Sequence, residues 1–124
     1  MRRRPLHLGD VITVQLPHHR PGGHEPVKGI RPAIVVGLPP LLGTPRFPLI
    51  VVVPTTTQVG PWASQSPHLY PPLAAGVGGF TTDCVVLLDQ LRSLDISRIG
   101  RHIGTLTTQQ LMLISTGLRR ILGF

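Results

Sequence analysis

Three polar side chains stand at the edges of short apolar runs: Arg31, Thr56 and Asp89. An arginine fork can bind a phosphate through paired hydrogen bonds, and a threonine hydroxyl can bond to the same group. A carboxylate can take up a proton. Side chains of these types, delivered to a surface by buried strands, suit the cleavage of a phosphate ester without a metal ion.

A loop rich in titratable groups precedes Arg31. It spans residues 17–30, and loops of that length without structure of their own are often functional. Imidazole exchanges protons near neutral pH, so His24 is a candidate general base, and Glu25 could act in its place or orient it. The candidate functional side chains of the loop are Arg20, His24, Glu25 and Lys28.

The reaction that these groups suit is the cleavage of RNA. A 2′-hydroxyl that attacks the neighbouring phosphate must lose a proton, the phosphate gains negative charge, and the departing 5′-oxygen must gain a proton. Arg31 can stabilise the charge, and Thr56 can hydrogen-bond to the phosphate. The residues themselves leave the identity of the general base open.

The charge balance supports a nucleic-acid partner. The chain of 124 residues has 12 basic and 5 acidic side chains, a net charge of +7. Such an excess attracts polyanions, although a basic surface also suits an acidic protein. The length predicts a single domain over residues 1–124, in which residues 1–8 form a flexible basic arm.

The single cysteine and the prolines argue against several classes. Cys84 alone cannot form an internal disulfide or a cysteine-based zinc cage, which favours a reducing, cytoplasmic setting. No apolar stretch follows the basic start, and prolines cut the apolar runs far short of the roughly 20 residues of a membrane span. His18, His19 and His24 do not have the spacing of a tetrahedral metal site, so neither a metal nor another cofactor is expected.

Apolar patterning predicts a mainly β protein. Short runs of β-branched and aliphatic residues predict strands over residues 11–16, 33–38, 49–53, 84–88 and, as a last candidate, 103–106. Residues 95–98 look like a single helical turn. Five or six short strands with proline and glycine turns favour a small barrel, because closing a sheet removes its exposed edges.

The C-terminal residues predict the one clear helix. Thr107 and Gln110 form a capping box, and Gly123 lies where a C-terminal cap belongs. The apolar residues of this segment share one face at helical spacing, which should pack on the barrel: Leu111, Ile114, Leu118 and Ile121.

Several motifs occur together in one order. They are Gly9-Asp10-Val11-Ile12, Gly23-His24-Glu25, Gly29-Ile30-Arg31-Pro32-Ala33, Val53-Pro54-Thr55-Thr56-Thr57-Gln58 and Asp89-Gln90-Leu91-Arg92-Ser93-Leu94-Asp95. In these residues the chain resembles the MazF/PemK (Kid) family, the toxins of type II toxin–antitoxin systems. The resemblance implies an SH3-like small β-barrel with a C-terminal α-helix, and a symmetric homodimer.

The resemblance also implies an activity and a partner. Members of the family are sequence-specific, metal-independent endoribonucleases, so we expect cleavage of single-stranded RNA, mRNA above all. The products would carry 2′,3′-cyclic phosphate and 5′-hydroxyl ends. An acidic, MazE-like antitoxin is the expected inhibitor.

Family roles carry over at matching positions. The resemblance places the functional arginine and threonine on Arg31 and Thr56, and a loop histidine of part of the family on His24. Asp89 matches an aspartate proposed as base in the Kid branch, but Leu87 stands where that branch has an arginine, which shifts Asp89 to a supporting role. The other expected RNA-binding or supporting residues are Arg20, Lys28, Thr57, Gln58, Gln90 and Arg92.

Other readings of these residues stay open. Arg31 could instead form a structural ion pair with Asp89 or Asp95. Thr56 could be an ordinary strand residue and His24 a solvated loop residue, while Asp89 could hold loops together through hydrogen bonds. The functional alternatives are a non-catalytic toxin of the same fold that inhibits a protein such as DNA gyrase, as the CcdB toxins do, and an inactive RNA-binding relative.

Overall fold

Strands make up most of the regular structure. The structure, a computed structural model, describes residues 5–17 and 29–124. The helices within these residues are α1 (Pro61–Ser64) and α2 (Thr108–Leu122), and neither is long and apolar enough to cross a membrane. The strands are β1 (Asp10–Leu16), β2 (Gly29–Gly37), β3 (Leu49–Thr56), β4 (Pro72–Leu73), β5 (Cys84–Val86), β6 (Arg92–Asp95) and β7 (Ile99–Thr105). Short 3-10 turns cover Pro39–Leu41, Val77–Gly79, Leu88–Gln90 and Ile96–Arg98.

All strand pairs are antiparallel, and they form one curled sheet. Its order is β4-β5-β3-β2-β1-β7, and β6 pairs with the first half of β3. β3 continues past that half to pair with β5 through Thr55 and Thr56. The sheet therefore places the polar end of β3 between β2 and β5.

Two apolar clusters lie on opposite sides of the sheet. Side chains alternate along a strand, so neighbouring residues of β1 enter different clusters. Val11 packs with Ile34 in the first cluster, and Ile12 packs with Ala33 in the second. The first cluster also receives Ile114 of α2. Burial on both sides fixes the register of β1 and β2, because a slip by one residue would exchange the two faces.

Helix α2 begins and ends as predicted. Thr107 Oγ1 accepts a hydrogen bond from the Gln110 N–H at 3.1 Å, and the Gln110 side chain accepts one from the Thr107 N–H at 2.8 Å. Gly123 closes the helix with a φ of 83°. Ile114 is buried as expected, but the apolar face is shorter than predicted, since Ile121 is 48% exposed in the last turn.

Several predicted strand boundaries are wrong. β3 does not stop at residue 53 but continues to Thr56, because its end pairs with β5. The strand predicted over residues 84–88 ends at Val86, where the chain turns out of the sheet. The last strand begins at Ile99, and patterning does not predict β4, β6 or α1, each too short to show a period.

The turn Val77–Gly79 packs closely against β7. A Cβ at Gly104 would overlap the carbonyl of Gly78, and one at Gly79 would lie 2.6 Å from a carbonyl oxygen of β7. Gly78 and Gly79 also have φ values of 59° and 84°, which L side chains rarely adopt. These glycines let the turn close over β7, which brings residues 79–82 to the rim of a cavity.

Parts of two predicted segments lie outside the described residues. They are residues 1–4 of the basic arm and residues 18–28 of the histidine loop. In the remainder of the arm, Leu6 packs against the second apolar cluster, and the N–H of His7 bonds to the Asp10 carboxylate. These contacts tie the chain before β1 to the sheet.

Candidate active site

A cavity of about 490 Å³ opens where β2 begins and β3 ends. Ala33 pairs with Pro54, so the residues just before Ala33 lie beside those just after Pro54. The Thr55 hydroxyl strengthens this arrangement by donating a hydrogen bond to the Pro32 carbonyl at 3.2 Å. Strand pairing thus brings the two residues of the predicted phosphate-binding pair into one cavity.

Arg31 lines this cavity with an exposed side chain. The two carboxylates that could have formed an ion pair with Arg31 bind other groups. Asp89 accepts a hydrogen bond from Tyr70, and Asp95 accepts one from the N–H of Ser97. Among the residues that the structure describes, no carboxylate forms a salt bridge with Arg31. The guanidinium is therefore placed to meet an anionic ligand.

The end of β3 supplies hydroxyl and amide groups to the same cavity. Thr56 Oγ1 accepts a hydrogen bond from the Gln58 N–H at 3.1 Å, which leaves the hydroxyl proton available to a ligand. Thr57 and Gln58 also line the cavity and are exposed. Thr56, Thr57 and Gln58, the three predicted site residues of this motif, therefore line the same cavity as Arg31.

The predicted polar motif after β5 does not reach this cavity. Asp89 Oδ2 accepts a hydrogen bond from the Tyr70 hydroxyl at 2.6 Å, and this bond is the main reason that the pKa of Tyr70 is raised. The Tyr70 ring meets Trp62 edge-on, with ring centroids 4.9 Å apart. Arg92 donates to the backbone carbonyl of Gln90 at 3.3 Å. Asp89 thus joins neighbouring segments, as the non-catalytic reading of this residue expects.

The predicted residues of the histidine loop lie outside the described ranges: Arg20, His24, Glu25 and Lys28. The same holds for His18 and His19, which completed the histidine cluster considered as a metal site. In residues 5–17 and 29–124, no group of three or more His, Cys, Asp or Glu side chains could hold a metal ion.

Strand β7 contributes two cavity residues that the sequence patterns do not predict, Arg101 and His102. The Arg101 N–H donates to Thr13 Oγ1 at 2.9 Å, where the pairing of β7 with β1 is irregular. Gly100 and Gly104 interrupt the alternation of this strand, which explains why it resembles a loop in the sequence. The feature of the sequence that could have indicated these cavity residues is the adjacent basic pair, Arg101 and His102.

A buried carboxylate lies behind His102. Asp10 at the start of β1 is fully buried and accepts hydrogen bonds from the His7 N–H and the Thr105 hydroxyl, each at 2.8 Å. His102 Nε2 lies 3.3 Å from Asp10 Oδ1 and 3.2 Å from Thr105 Oγ1. Burial by itself raises the pKa of Asp10, but these hydrogen bonds outweigh it, so the pKa lies below its ordinary value.

Cys84 lines the cavity without being a candidate nucleophile. Its side chain is buried, and burial raises the pKa of the thiol to about 11, although a hydrogen bond with Thr55 acts in the opposite direction. The thiol therefore remains protonated near neutral pH, and the thiolate is the reactive form of cysteine. Cys84 contributes shape to the cavity.

The described lining of the cavity is basic and rich in hydroxyl groups. Arg31 and Arg101 are its charged side chains, no carboxylate belongs to it, and six of its residues are threonines. Cations and hydroxyl donors are the groups that bind phosphate oxygens. Fold and site together define a small, mainly β protein with a basic, hydroxyl-lined cavity at a strand edge.

The family follows from comparison with known proteins. The sequence model of the PemK-like, MazF-like toxins of type II toxin–antitoxin systems matches residues 7–122. The chain therefore belongs to this toxin family. No protein of curated function gives a significant match.

Solved structures show the same fold. MazF from Deinococcus radiodurans is 23% identical, with a TM-score of 0.74 over 98% of this chain and 100% of that one. A MazE–MazF structure from the same organism is 25% identical, with a TM-score of 0.65 over 94% of both chains. A mycobacterial endoribonuclease in complex with its cognate antitoxin is 20% identical, with a TM-score of 0.67 over 98% of this chain and 97% of that one. The predicted class, an SH3-like small β-barrel with a C-terminal helix, is confirmed.

Proposed function

We propose that this toxin is a sequence-specific, metal-independent endoribonuclease that cuts single-stranded mRNA in the cytoplasm. The observation that carries the proposal is the meeting of Arg31 and Thr56 in one basic cavity, from two strands that are separate in the sequence. Membership of the PemK/MazF family and the endoribonuclease among the structural relatives support the same activity.

The cavity fits the phosphate of an RNA backbone. Arg31 would bind the phosphate oxygens through its fork, and Thr56 would donate its hydroxyl proton to one of them. Both interactions strengthen as the attacking 2′-oxygen adds negative charge to the phosphate, which lowers the barrier. Departure of the 5′-oxygen then leaves 2′,3′-cyclic phosphate and 5′-hydroxyl ends.

The other predicted residues take proposed roles around this pair. His24 and Glu25 are the candidates for removing the 2′-proton. Thr57 and Gln58 would contact nucleotides that flank the cut, as would Arg20 and Lys28 of the histidine loop. The remaining residues would support the fold beside the RNA path: Asp89, Gln90 and Arg92.

A homodimer and an acidic, MazE-like antitoxin are part of the proposal. The net charge of +7 favours an acidic partner, and structural relatives include a MazE–MazF complex and an endoribonuclease with its cognate antitoxin. Acidic side chains over the cavity would compete with RNA for Arg31 and Arg101.

The test is cleavage of a long single-stranded RNA by the purified protein in EDTA. We expect internal fragments with 5′-hydroxyl ends, whose positions primer extension maps. Arg31→Ala and Thr56→Ala should each slow cleavage about 100-fold or more. Thr116→Ala, at an exposed position of α2 outside the cavity, is the matched control and should cut normally.

Two results would decide against this function. RNA that stays intact across many sequences and salt concentrations would overturn it. Inhibition of DNA gyrase that survives Arg31→Ala would then select the non-catalytic alternative.

The replacement Arg31→Lys tests the geometry of the guanidinium. Lysine keeps the positive charge but cannot form two parallel hydrogen bonds to a phosphate. We expect Arg31→Lys to lose most of the activity, about 100-fold, while RNA binding changes much less. Cleavage at the full rate would mean that Arg31 only attracts RNA, and a binding assay beside the rate assay separates the two effects.

A further inference from the structure

Asp10 and His102 form a carboxylate–imidazole pair behind the cavity. The Asp10 side chain is 1% exposed, and donors from His7 and Thr105 are bound to it at 2.8 Å. Hydrogen bonds to a carboxylate favour its ionised form. The His102 imidazole therefore faces a fixed negative charge, with Nε2 3.3 Å from Asp10 Oδ1.

The hydrogen-bond network assigns the tautomer of His102. The Thr105 hydroxyl gives its proton to Asp10, so its oxygen turns lone pairs toward Nε2 of His102, 3.2 Å away. The ionised carboxylate also offers only lone pairs. Nε2 must then carry a proton, and Asp10 and Thr105 hold the imidazole ring in one orientation.

Among the described residues that line the cavity, few side chains other than His102 could donate a proton. Arginine keeps its protons far above neutral pH, which sets aside Arg31 and Arg101. Burial raises the pKa of the Cys84 thiol to about 11. Imidazole donates and recovers protons near neutral pH, and His102 belongs to the lining with 22% of its side chain exposed.

We propose that His102, oriented by Asp10, is the general acid that protonates the departing 5′-oxygen of the cleaved RNA. The proposal rests on the proposed endoribonuclease function. As the 2′-oxygen forms its bond to phosphorus, the bond from phosphorus to the 5′-oxygen breaks and its electron pair stays on that oxygen. The His102 imidazolium gives a proton to this oxygen, and neutral His102 regains a proton from water. The 2′-proton leaves to a separate base.

If Asp10 and His102 had a purely structural role, a different result would be expected. The Thr105 hydroxyl already joins β7 to Asp10 on β1, so the histidine is not needed to connect the two strands. If His102 only supports the fold, its loss should slow the cleavage of every substrate equally. If it is the acid, its loss should matter only when the leaving group needs a proton.

The experiment compares two RNAs that differ in one atom at a mapped cleavage site. One has the ordinary 5′-oxygen, and the other has sulfur in its place, which leaves as a thiolate without protonation. His102→Gln should cut the ordinary RNA about 100-fold or more slowly, yet cut the sulfur RNA within about threefold of the unsubstituted protein. Arg31→Ala should be slow on both. His68→Gln, exposed and outside the cavity, is the matched control and should be normal on both.

Each other outcome overturns the proposal. Equal slowing of His102→Gln on both RNAs, in protein that circular dichroism shows to be folded, would make His102 structural. A normal rate on the ordinary RNA would remove it from the reaction. Failure of the unsubstituted protein to cut either RNA would overturn the endoribonuclease function itself, which distinguishes the two proposals.

Asp10→Asn supplies a second variant for the positioning role of the carboxylate. Without the carboxylate at Nε2 the imidazole loses its fixed orientation, so Asp10→Asn should cut the ordinary RNA about tenfold more slowly and the sulfur RNA at nearly the rate of the unsubstituted protein. Equal slowing of Asp10→Asn on both RNAs would overturn this role.

Discussion

Asp10 links the stability of the fold to pH. Its pKa is lower in the folded protein than its ordinary value near 3.9, because hydrogen bonds outweigh the effect of burial. The ionised carboxylate therefore stabilises the fold above that pH, and this stabilisation is lost as the pH falls through the lower folded-state pKa. We expect the difference in free energy of unfolding between the unsubstituted protein and Asp10→Asn to be largest near neutral pH and to shrink below about pH 4.

Urea unfolding at neutral and acidic pH measures this difference. The slope of free energy against urea concentration must stay the same in both proteins, so that the comparison refers to the same transition. A difference that is constant from neutral pH to below about pH 4 would show that Asp10 acts through packing and not through its charge.

Single residues differ in how far the sequence reveals their place in the cavity. Arg31 and Thr56 are predictable, because each is a polar residue next to an apolar run long enough to read as a strand. The proximity of these two residues to each other is not predictable, because it depends on the register of β2 against β3. Arg101 and His102 lie in a strand with irregular pairing, so their place in the cavity follows from tertiary contacts alone.

The helices and strands that could be predicted are those with a local signal in the sequence. α2 has a capping box, a C-terminal glycine and an apolar face, all of which are visible in the sequence. β6 exists because it pairs with residues 49–52 of β3, and β4 because it pairs with β5. Such short strands form when a neighbouring strand offers free backbone groups, which no local pattern reports.

The contact of the turn Val77–Gly79 with β7 can be tested by Gly104→Ala. The added methyl group would overlap the Gly78 carbonyl, so the turn or the strand must move. We expect a loss of about 1–3 kcal/mol in the free energy of unfolding, together with slower RNA cleavage, since residues 79–82 form part of the cavity rim. Gly43→Ala is the matched control, because nothing lies within 4 Å of its added carbon.

Urea unfolding and the rate of RNA cleavage give the two readouts for this pair of glycines. Equal stability of Gly104→Ala and Gly43→Ala would contradict the close packing of the turn. Lower stability with an unchanged rate would mean that the turn supports the fold without shaping the cavity.

For the whole molecule, the net charge of +7 predicts RNA binding that weakens as salt rises. The logarithm of the binding constant should fall linearly with the logarithm of the salt concentration, by about 0.7 for each phosphate contact on a single strand. If the cavity binds RNA, Arg31→Gln and Arg101→Gln should each reduce the slope by about 0.7. Arg119→Gln, on an exposed part of α2 outside the cavity, should leave it unchanged.

Fluorescence anisotropy of a labelled RNA with a 2′-deoxy nucleotide at the cleavage site measures this slope, because such an RNA binds but cannot be cut. The three variants separate the effect of location from that of total charge, because each of them removes one positive charge. Equal slopes in all three would show that RNA responds to the overall charge of the molecule. A change confined to Arg31→Gln and Arg101→Gln would place the RNA backbone across the cavity, between β2 and β7.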